Sequence, residues 1–232
     1  SEDVPLGPSA YFTLRAPLEG LGSTENLLVF GSHLGWRELV LGDGLLELTG
    51  AVSGWYRIDE SDVDNKSILL RFRCATPTLY VGRFVSRTDW LSYLEPESVV
   101  QVSLGGDNGL RGYPSKALTS FGGARVRSNL EYRTPPLSLA QLRFGMVLFY
   151  DAGMLYDGSN ETGYRQSVGT GLRMVFPQAS RLAYRLDIGF PVDGTGFFVS
   201  VSGETNQAIP TLPLEDRVYD GLFQVGGLVN QP

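Results

Sequence analysis

The chain has 232 residues, a formal net charge of −6 and 29 glycines, and 11% of its residues are aromatic. This acidic balance argues against a general nucleic-acid binder, because contacts to phosphates need a basic surface. No segment has the roughly 18 consecutive apolar residues of a membrane-spanning helix. A membrane location would therefore require a closed barrel of strands.

The first part of the chain contains strand-forming segments separated by turns. We predict a short strand at 11–15, strands at 26–36 and 43–57, a polar loop at 59–66, and either one bent strand or two short ones at 67–87. The ambiguity in the last segment comes from Pro77, since proline cannot donate a hydrogen bond to a sheet ladder.

The second part of the chain alternates more regularly. Between Gly123 and Arg133, apolar or small residues occupy one face of a predicted strand, and Arg125, Arg127, Asn129, Glu131 and Arg133 occupy the other. The same pattern recurs in Arg181–Phe190. We predict strands at about 122–133, 141–154, 167–176, 181–191 and 196–203, with a longer polar connection at 155–166.

This alternation has two interpretations. A soluble sandwich would bury the apolar face, and the pattern alone is compatible with one. A membrane barrel turns that face to lipid and lines a wet lumen with the charged face, which explains the regular arginines and carboxylates. We favour an antiparallel transmembrane β-barrel. The side chains expected to face lipid are Leu130, Tyr132, Leu182, Tyr184, Leu186 and Ile188.

A glycine-rich segment precedes these strands. Gly105-Gly106 followed by Leu110-Arg111-Gly112-Tyr113 resembles the signature of the sixth extracellular loop of BamA-type outer-membrane assembly factors and two-partner-secretion transporters. The resemblance continues in the same order as in the family. It is carried by Ser128–Arg133, by Phe149–Gly153, by Gly169–Arg173 with Pro177, and by Leu186–Pro191, and it covers about residues 99–203.

The resemblance implies an all-β antiparallel barrel, which in the family has sixteen strands. We count eight or nine, so the chain is either the carboxy-terminal half of such a barrel or a small closed barrel of about eight strands. The first is favoured because the motifs belong to the carboxy-terminal half. The expected organisation is barrel strands over 1–203, an inserted signature loop at about 99–118, and an irregular tail at 204–232.

The resemblance also implies a role for the loop arginine. In the family it reaches into the lumen and pairs with an inward acidic residue, and strand parity makes Glu131 and Asp151 the candidates here. The alternative is a solvated Arg111, with the barrel charges paired among themselves. The other charges expected to face the lumen are Arg125, Arg127, Arg133, Arg173, Arg185 and Asp187.

By resemblance, the chain inserts or translocates other proteins at the bacterial outer membrane without catalysis or cofactor. Expected partners are the lipid bilayer, unfolded outer-membrane or secreted β-rich clients, and periplasmic accessory domains or lipoproteins, but not nucleic acid. Alternatives are a two-partner-secretion pore, the barrel anchor of a patatin-like hydrolase, and a small autonomous barrel with a binding or structural role. Catalytic and metal sites are not expected, because His33 and Cys74 are single and Ser32 lacks the G-x-S-x-G spacing.

Overall fold

A computed structural model describes residues 6–94, 100–106, 108–139, 142–157, 160–176 and 183–204. Its strands are β1 Gly7–Arg15, β2 Leu27–Val40, β3 Gly44–Arg57, β4 Asp62–Ala75, β5 Arg83–Leu94, β6 Gln101–Leu104, β7 Leu118–Phe121, β8 Gly123–Arg133, β9 Leu137–Leu139, β10 Leu142–Asp157, β11 Asn160–Val175, β12 Ala183–Pro191 and β13 Phe198–Glu204. A 3-10 helix spans Glu19–Leu21. Within these ranges, no helix has the length and apolar character needed to cross a membrane.

The strands form one antiparallel sheet. Its order is β1-β2-β3-β4-β5-β8-β10-β11-β12-β13, and the short β9 pairs with β10. Strands β6 and β7 pair with each other, as a separate hairpin inserted between β5 and β8. The predicted all-β antiparallel fold class is confirmed. Among the described strands, β1 and β13 each pair on one side only, so the sheet is open at both edges.

Ten strands lie on the main path, rather than the eight or nine counted in the sequence. Segment 67–87 is divided between β4 and β5, and Pro77 lies in the connection between them, where no ladder hydrogen bond is lost. The prediction of a polar connection at 155–166 was wrong. Strands β10 and β11 continue until Asp157 pairs with Asn160. Most residues of the sequence after Tyr156 are polar, so this part of the chain carries no alternation signal.

The division into a strand region over 1–203 and a tail over 204–232 stays a prediction, because residues 205–232 lie outside the described residues.

The sheet separates apolar from charged side chains by strand parity. We call the face against which the β5–β8 connection lies the inner face, and the opposite one the outer face. The outer face exposes large apolar groups such as Leu148, which is 55% exposed, and Phe72. Of the side chains expected to face lipid, Leu130 and Tyr184 are exposed and Tyr132, Leu186 and Ile188 are half-buried, whereas Leu182 lies outside the described residues.

The inner face is covered locally by the β5–β8 connection. Val102, Leu104 and Leu110 of this connection are buried together with Leu155 of β10, and Leu104 and Leu110 have no exposed surface. Tyr93 and Tyr113 pack against the same cluster. Burial of apolar area is the main favourable contribution here, at about 25 cal/mol per Å² removed from water. This cluster holds the connection against the sheet and so positions Arg111.

Candidate functional site: the loop arginine and its carboxylates

Hydrogen bonds of the loop itself fold its tip into a compact turn. The backbone N–H of Gly106 donates to the carbonyl oxygen of Tyr113 at 3.0 Å, and the N–H of Tyr113 donates to Leu110 at 3.1 Å. Gly105 has a φ of +138°, and a Cβ on it would lie 2.2 Å from the carbonyl oxygen of Pro114. Only glycine adopts this backbone here without strain. The turn therefore presents Arg111 at a defined place.

Strand register creates the surface that receives Arg111. Across β8, β10, β11 and β12, Glu131 faces Phe149, Phe149 faces Gly169, and Gly169 faces Gly189. Because side chains alternate along a strand, residues two positions away lie on the same face. Asn129 and Asp151 therefore lie in the next row on one side of the Glu131–Gly189 row. Asp187 lies in the next row on its other side. Phe149 therefore shares its face of the sheet with Glu131, Asp151 and Asp187.

Arg111 binds two of these carboxylates directly. Its Nε and Nη2 donate to the two oxygens of Asp151 at 2.8 and 2.7 Å, and its Nη1 donates to Glu131 Oε1 at 2.5 Å. The backbone N–H of Arg111 also donates to Asp151, at 3.1 Å. Arg111 is 4% exposed, and Glu131 and Asp151 are fully buried. A bidentate arginine–carboxylate pair of this kind is among the stronger hydrogen-bonded arrangements in proteins.

Two contacts of Arg111 were not anticipated from the sequence. Its Nη1 lies 3.6 Å from Asp187 Oδ2, so a third carboxylate contributes to its environment. Its guanidinium carbon lies 3.7 Å from the centre of the Phe149 ring, which is cation–π geometry. The position of Phe149 two residues before Asp151 is the sequence signal that would have placed both side chains on one face.

The carboxylates have further partners on the sheet. Arg133 donates to Glu131 at 2.8 Å, Arg173 donates to Asp187 at 2.5 Å, and Arg185 lies 3.4 Å from Asp187. The amide of Asn129 donates to Asp151 at 2.8 Å and to the carbonyl oxygen of Gly109 at 3.2 Å. Desolvated charges are stable only when they are paired and hydrogen-bonded. These partners meet that requirement.

A close backbone approach brings the loop onto the sheet. A Cβ added to Gly189 would lie 2.6 Å from the carbonyl oxygen of Arg111, and one added to Gly112 would lie 2.5 Å from Ser167 Cβ. Both distances are shorter than carbon and oxygen atoms allow, so glycine at both positions permits the contact. The Tyr113 hydroxyl adds a hydrogen bond to the carbonyl oxygen of Gln166 at 3.1 Å.

Electrostatics keep the loop arginine charged. Burial alone would lower the pKa of Arg111, but the charge and hydrogen bonds of Asp151, with the charges of Glu131 and Asp187, raise it overall. Burial also raises the pKa of the Tyr113 phenol. Both groups therefore keep their protons at physiological pH.

The remaining predicted charges, Arg125 and Arg127, lie on β8 beyond this site. Both donate to the side-chain oxygen of Asn108 in the loop, at 3.3 and 2.9 Å. Arg127 also belongs to a second charged cluster that the sequence analysis missed. There the Nε atoms of Arg71, Arg87 and Arg127 all donate to Asp89, at 2.7 to 2.8 Å. The sequence did contain a signal for this cluster, since residues two positions apart on a strand share a face. It consists of two arginines spaced in this way on β4 and of Arg87-Thr88-Asp89 on β5.

Neither cluster offers a nucleophile or a metal centre. Among the described residues, no group of three His, Cys, Asp or Glu side chains is arranged to hold a metal ion. His33 is buried on β2 and stacks on Tyr11, with ring centres 4.9 Å apart. What the Arg111 cluster can do is hold a loop of the β5–β8 connection against four strands.

Comparison with known proteins places this arrangement in a family. No curated protein matches the chain. The sequence does match the Omp85 superfamily domain over residues 101–199, which include the Arg111 turn and the strands that receive it. The resemblance to BamA-type assembly factors and two-partner-secretion transporters is thus confirmed at the level of the superfamily. Residues 101–199 of this chain match the Omp85 superfamily domain, and in the structure they form antiparallel β-strands with an inserted loop.

Proposed function

We propose that this chain is part of an outer-membrane β-barrel that inserts other β-barrel proteins into the bacterial outer membrane, and that Arg111 holds the signature loop inside the lumen for this purpose. The observation that carries the proposal is the burial of Arg111 between Asp151 and Glu131 within the matched domain. The family works at the outer membrane on client proteins, which agrees with this role.

The outer face supports the same assignment. Large apolar side chains such as Leu48, Met146 and Val168 are 59%, 54% and 44% exposed. On a soluble protein such a surface would promote aggregation, whereas in a bilayer it contacts acyl chains. The lipid bilayer is therefore the first proposed partner, and unfolded β-rich clients are the second.

Client insertion requires an accessible strand edge. Strands β1 and β13 each carry an unpaired edge within the described part of the sheet. An unpaired edge presents a row of backbone donors and acceptors, which an incoming strand satisfies by β-augmentation. The buried loop occupies the inner face rather than a strand edge, so it does not compete with such pairing. No cofactor is required for this step, since only hydrogen bonds form.

The proposal is tested in the native bacterium by placing the gene under a repressible promoter. We expect depletion to lower the folded, heat-modifiable fraction of the major outer-membrane proteins. Restoring the gene should recover that fraction, and restoring it with Arg111→Ala should recover it only in part. A matched control is Arg15→Gln, which alters an exposed arginine of β1, at the far edge of the sheet from the loop site.

Other functions give different outcomes in the same experiment. A two-partner-secretion pore would reduce the secretion of one partner protein and leave the folded outer-membrane proteins unchanged. A barrel that only anchors a hydrolase would change neither quantity. Either result would contradict the insertion proposal.

A further inference from the structure

A cavity of about 610 Å³ lies at the end of the sheet where β5 and β11 carry Arg83 and Arg173. Its wall also includes Arg133 at the end of β8 and Arg143 near the start of β10. We call it the arginine cavity. Its volume is in the range of small-molecule sites, which are about 300–1,000 Å³. None of the described residues that line it is an aspartate or glutamate.

The charges of this wall are balanced only in part, by the carboxylates that bind Arg133 and Arg173. Arg83 of β5 stands directly opposite Arg133 of β8 in the register, and like charges in that arrangement destabilise a sheet. The neighbouring carboxylate of Glu131 already accepts from Arg111 and Arg133. Asp43, at the same end, accepts from both the hydroxyl and the backbone N–H of Thr78.

Two guanidinium donors at the cavity lack hydrogen-bond acceptors among the described residues. Arg83 Nε and Arg173 Nε are buried atoms without a partner, although Arg83 Nη2 donates to the carbonyl oxygen of Asp43 at 3.3 Å and Arg173 Nη1 donates to Asp187. A buried donor without an acceptor costs about 1–3 kcal/mol. An anion in the cavity would supply the missing acceptors.

The rest of the wall is mostly apolar. Its inner-face part includes Val147 and Val175, with Pro135 and Pro136 beside them, and Thr78 and Thr134 add two hydroxyl groups. A free inorganic anion would leave this part of the wall in contact with water only. A ligand with an apolar chain attached to its charged group would contact both parts of the wall.

We propose that the arginine cavity binds a small anionic amphiphile, in which a phosphate or carboxylate headgroup is held by the guanidinium groups and a short apolar chain lies against Pro136 and Val175. Guanidinium groups match the geometry of phosphate and carboxylate oxygens through paired hydrogen bonds. This inference does not depend on the protein-insertion proposal, since it concerns a different part of the sheet and a small ligand.

The test uses the whole chain in a neutral, zwitterionic detergent and isothermal titration calorimetry with hexyl phosphate. We expect saturable binding with one site per chain. Inorganic phosphate should bind at least tenfold more weakly, because it lacks the apolar chain, and hexanol should show no saturable binding. Equal affinities for hexyl phosphate and inorganic phosphate would overturn the amphiphile assignment, since a free anion would then be sufficient.

Variants locate the binding in the cavity. Arg83→Gln combined with Arg143→Gln should weaken hexyl phosphate binding at least tenfold, and neither side chain is part of the Arg111 cluster. Val175→Phe keeps the charges but fills apolar space, so it should weaken hexyl phosphate more than inorganic phosphate. Arg15→Gln combined with Arg165→Gln is the matched control for loss of two positive charges, because neither side chain lines the cavity. Unchanged binding in the double variant, or an equal loss in the control, would overturn the proposal.

Far-UV circular dichroism and heat-modifiable mobility establish that each variant is folded before titration. Arg133 and Arg173 are left intact because both also bind buried carboxylates. Their removal would confuse loss of ligand with loss of fold.

Discussion

Two charged clusters lie on the inner face of one sheet, and they differ in what they connect. Around Asp89, three arginines from β4, β5 and β8 converge on a single carboxylate, and every member belongs to a strand of the sheet wall. Around Arg111, three carboxylates from β8, β10 and β12 converge on a single guanidinium, which a loop carries. The first cluster joins neighbouring strands, whereas the second joins the wall to an element inserted against it.

The difference has an energetic basis. Strand neighbours are already held by ladder hydrogen bonds, so the Asp89 cluster adds to an existing contact. The Arg111 turn has no ladder bonds to the sheet, so its attachment depends on its own side chains and on a close backbone approach at Gly189. Loss of a partner should therefore release the loop in one cluster and only weaken the wall in the other.

The largest effect should come from Arg111→Ala. It leaves Asp151 and Glu131 buried without their loop cation, and breaking a buried pair in this way costs about 3–5 kcal/mol. We expect a lower midpoint in a denaturant titration and rapid proteolysis between residues 105 and 117. Arg111→Lys keeps the charge but loses the paired hydrogen bonds of the guanidinium. Its unfolding midpoint and loop cleavage rate should lie between those of the unmodified chain and of Arg111→Ala. Undiminished protease resistance in Arg111→Ala would show that the apolar cluster alone retains the loop.

A smaller effect is expected for Asp89→Asn, which leaves three guanidiniums around a neutral amide. The amide oxygen still accepts one hydrogen bond, so the cost should lie near the lower end of the range for a broken buried pair, about 3 kcal/mol. The unfolding midpoint should fall, but proteolysis of the loop should stay as slow as in the unmodified chain. Fast loop cleavage here would remove the proposed distinction between the two clusters.

Gly189→Ala tests the backbone contact separately from the charges. The added Cβ would lie 2.6 Å from the carbonyl oxygen of Arg111, so the loop or β12 must shift, at about 1–3 kcal/mol. We expect partial protease sensitivity of the loop. Gly50→Ala is the matched control, because its Cβ would meet Leu70 at an ordinary 3.5 Å. Similar behaviour of the two variants would argue against close approach as a constraint.

The smallest effect should come from Glu25→Gln, which removes an exposed partner of Arg57. Glu25 is 47% exposed, and exposed ion pairs contribute about 0–1 kcal/mol. The unfolding midpoint should change little, and any change should vanish in high salt. A loss as large as that of Asp89→Asn would mean that burial does not decide the strength of the charged contacts in this protein.

The sequence was sufficient where alternation and motif spacing carried the information. The alternation of Gly123–Arg133 predicted the face of every charge on β8, because apolar or small residues occupy one face of that strand and the charged residues the other. The superfamily was recognisable because the motifs that follow Gly105-Gly106 occur in the same order along the chain as in the family. The pairing of Arg111 with Asp151 and Glu131 could be proposed in advance only through the resemblance, since parity allows many inner-face carboxylates.

Other features could not be derived from the sequence. The β6–β7 hairpin is four residues on each side, which is too short for a periodic signal. Most residues of the sequence between Tyr156 and Gln166 are polar, and this stretch resembles a loop. The third carboxylate near Arg111, Asp187, depends on the register of β12 against β11, and strand register is set by contacts across the sheet rather than by local sequence.

The separation of Arg111 from its partners along the chain has a kinetic consequence. Arg111 and Asp151 are 40 residues apart, and Tyr113 and Gln166 are 53 apart. Contacts of such long range form late in folding, after the entropy of closing the intervening chain has been lost. The loop therefore cannot complete its contacts with the sheet until β10, β11 and β12 have paired. Substitution of Arg111 should accelerate unfolding while leaving the folding rate almost unchanged, which makes engagement of this arginine a marker of a fully assembled sheet.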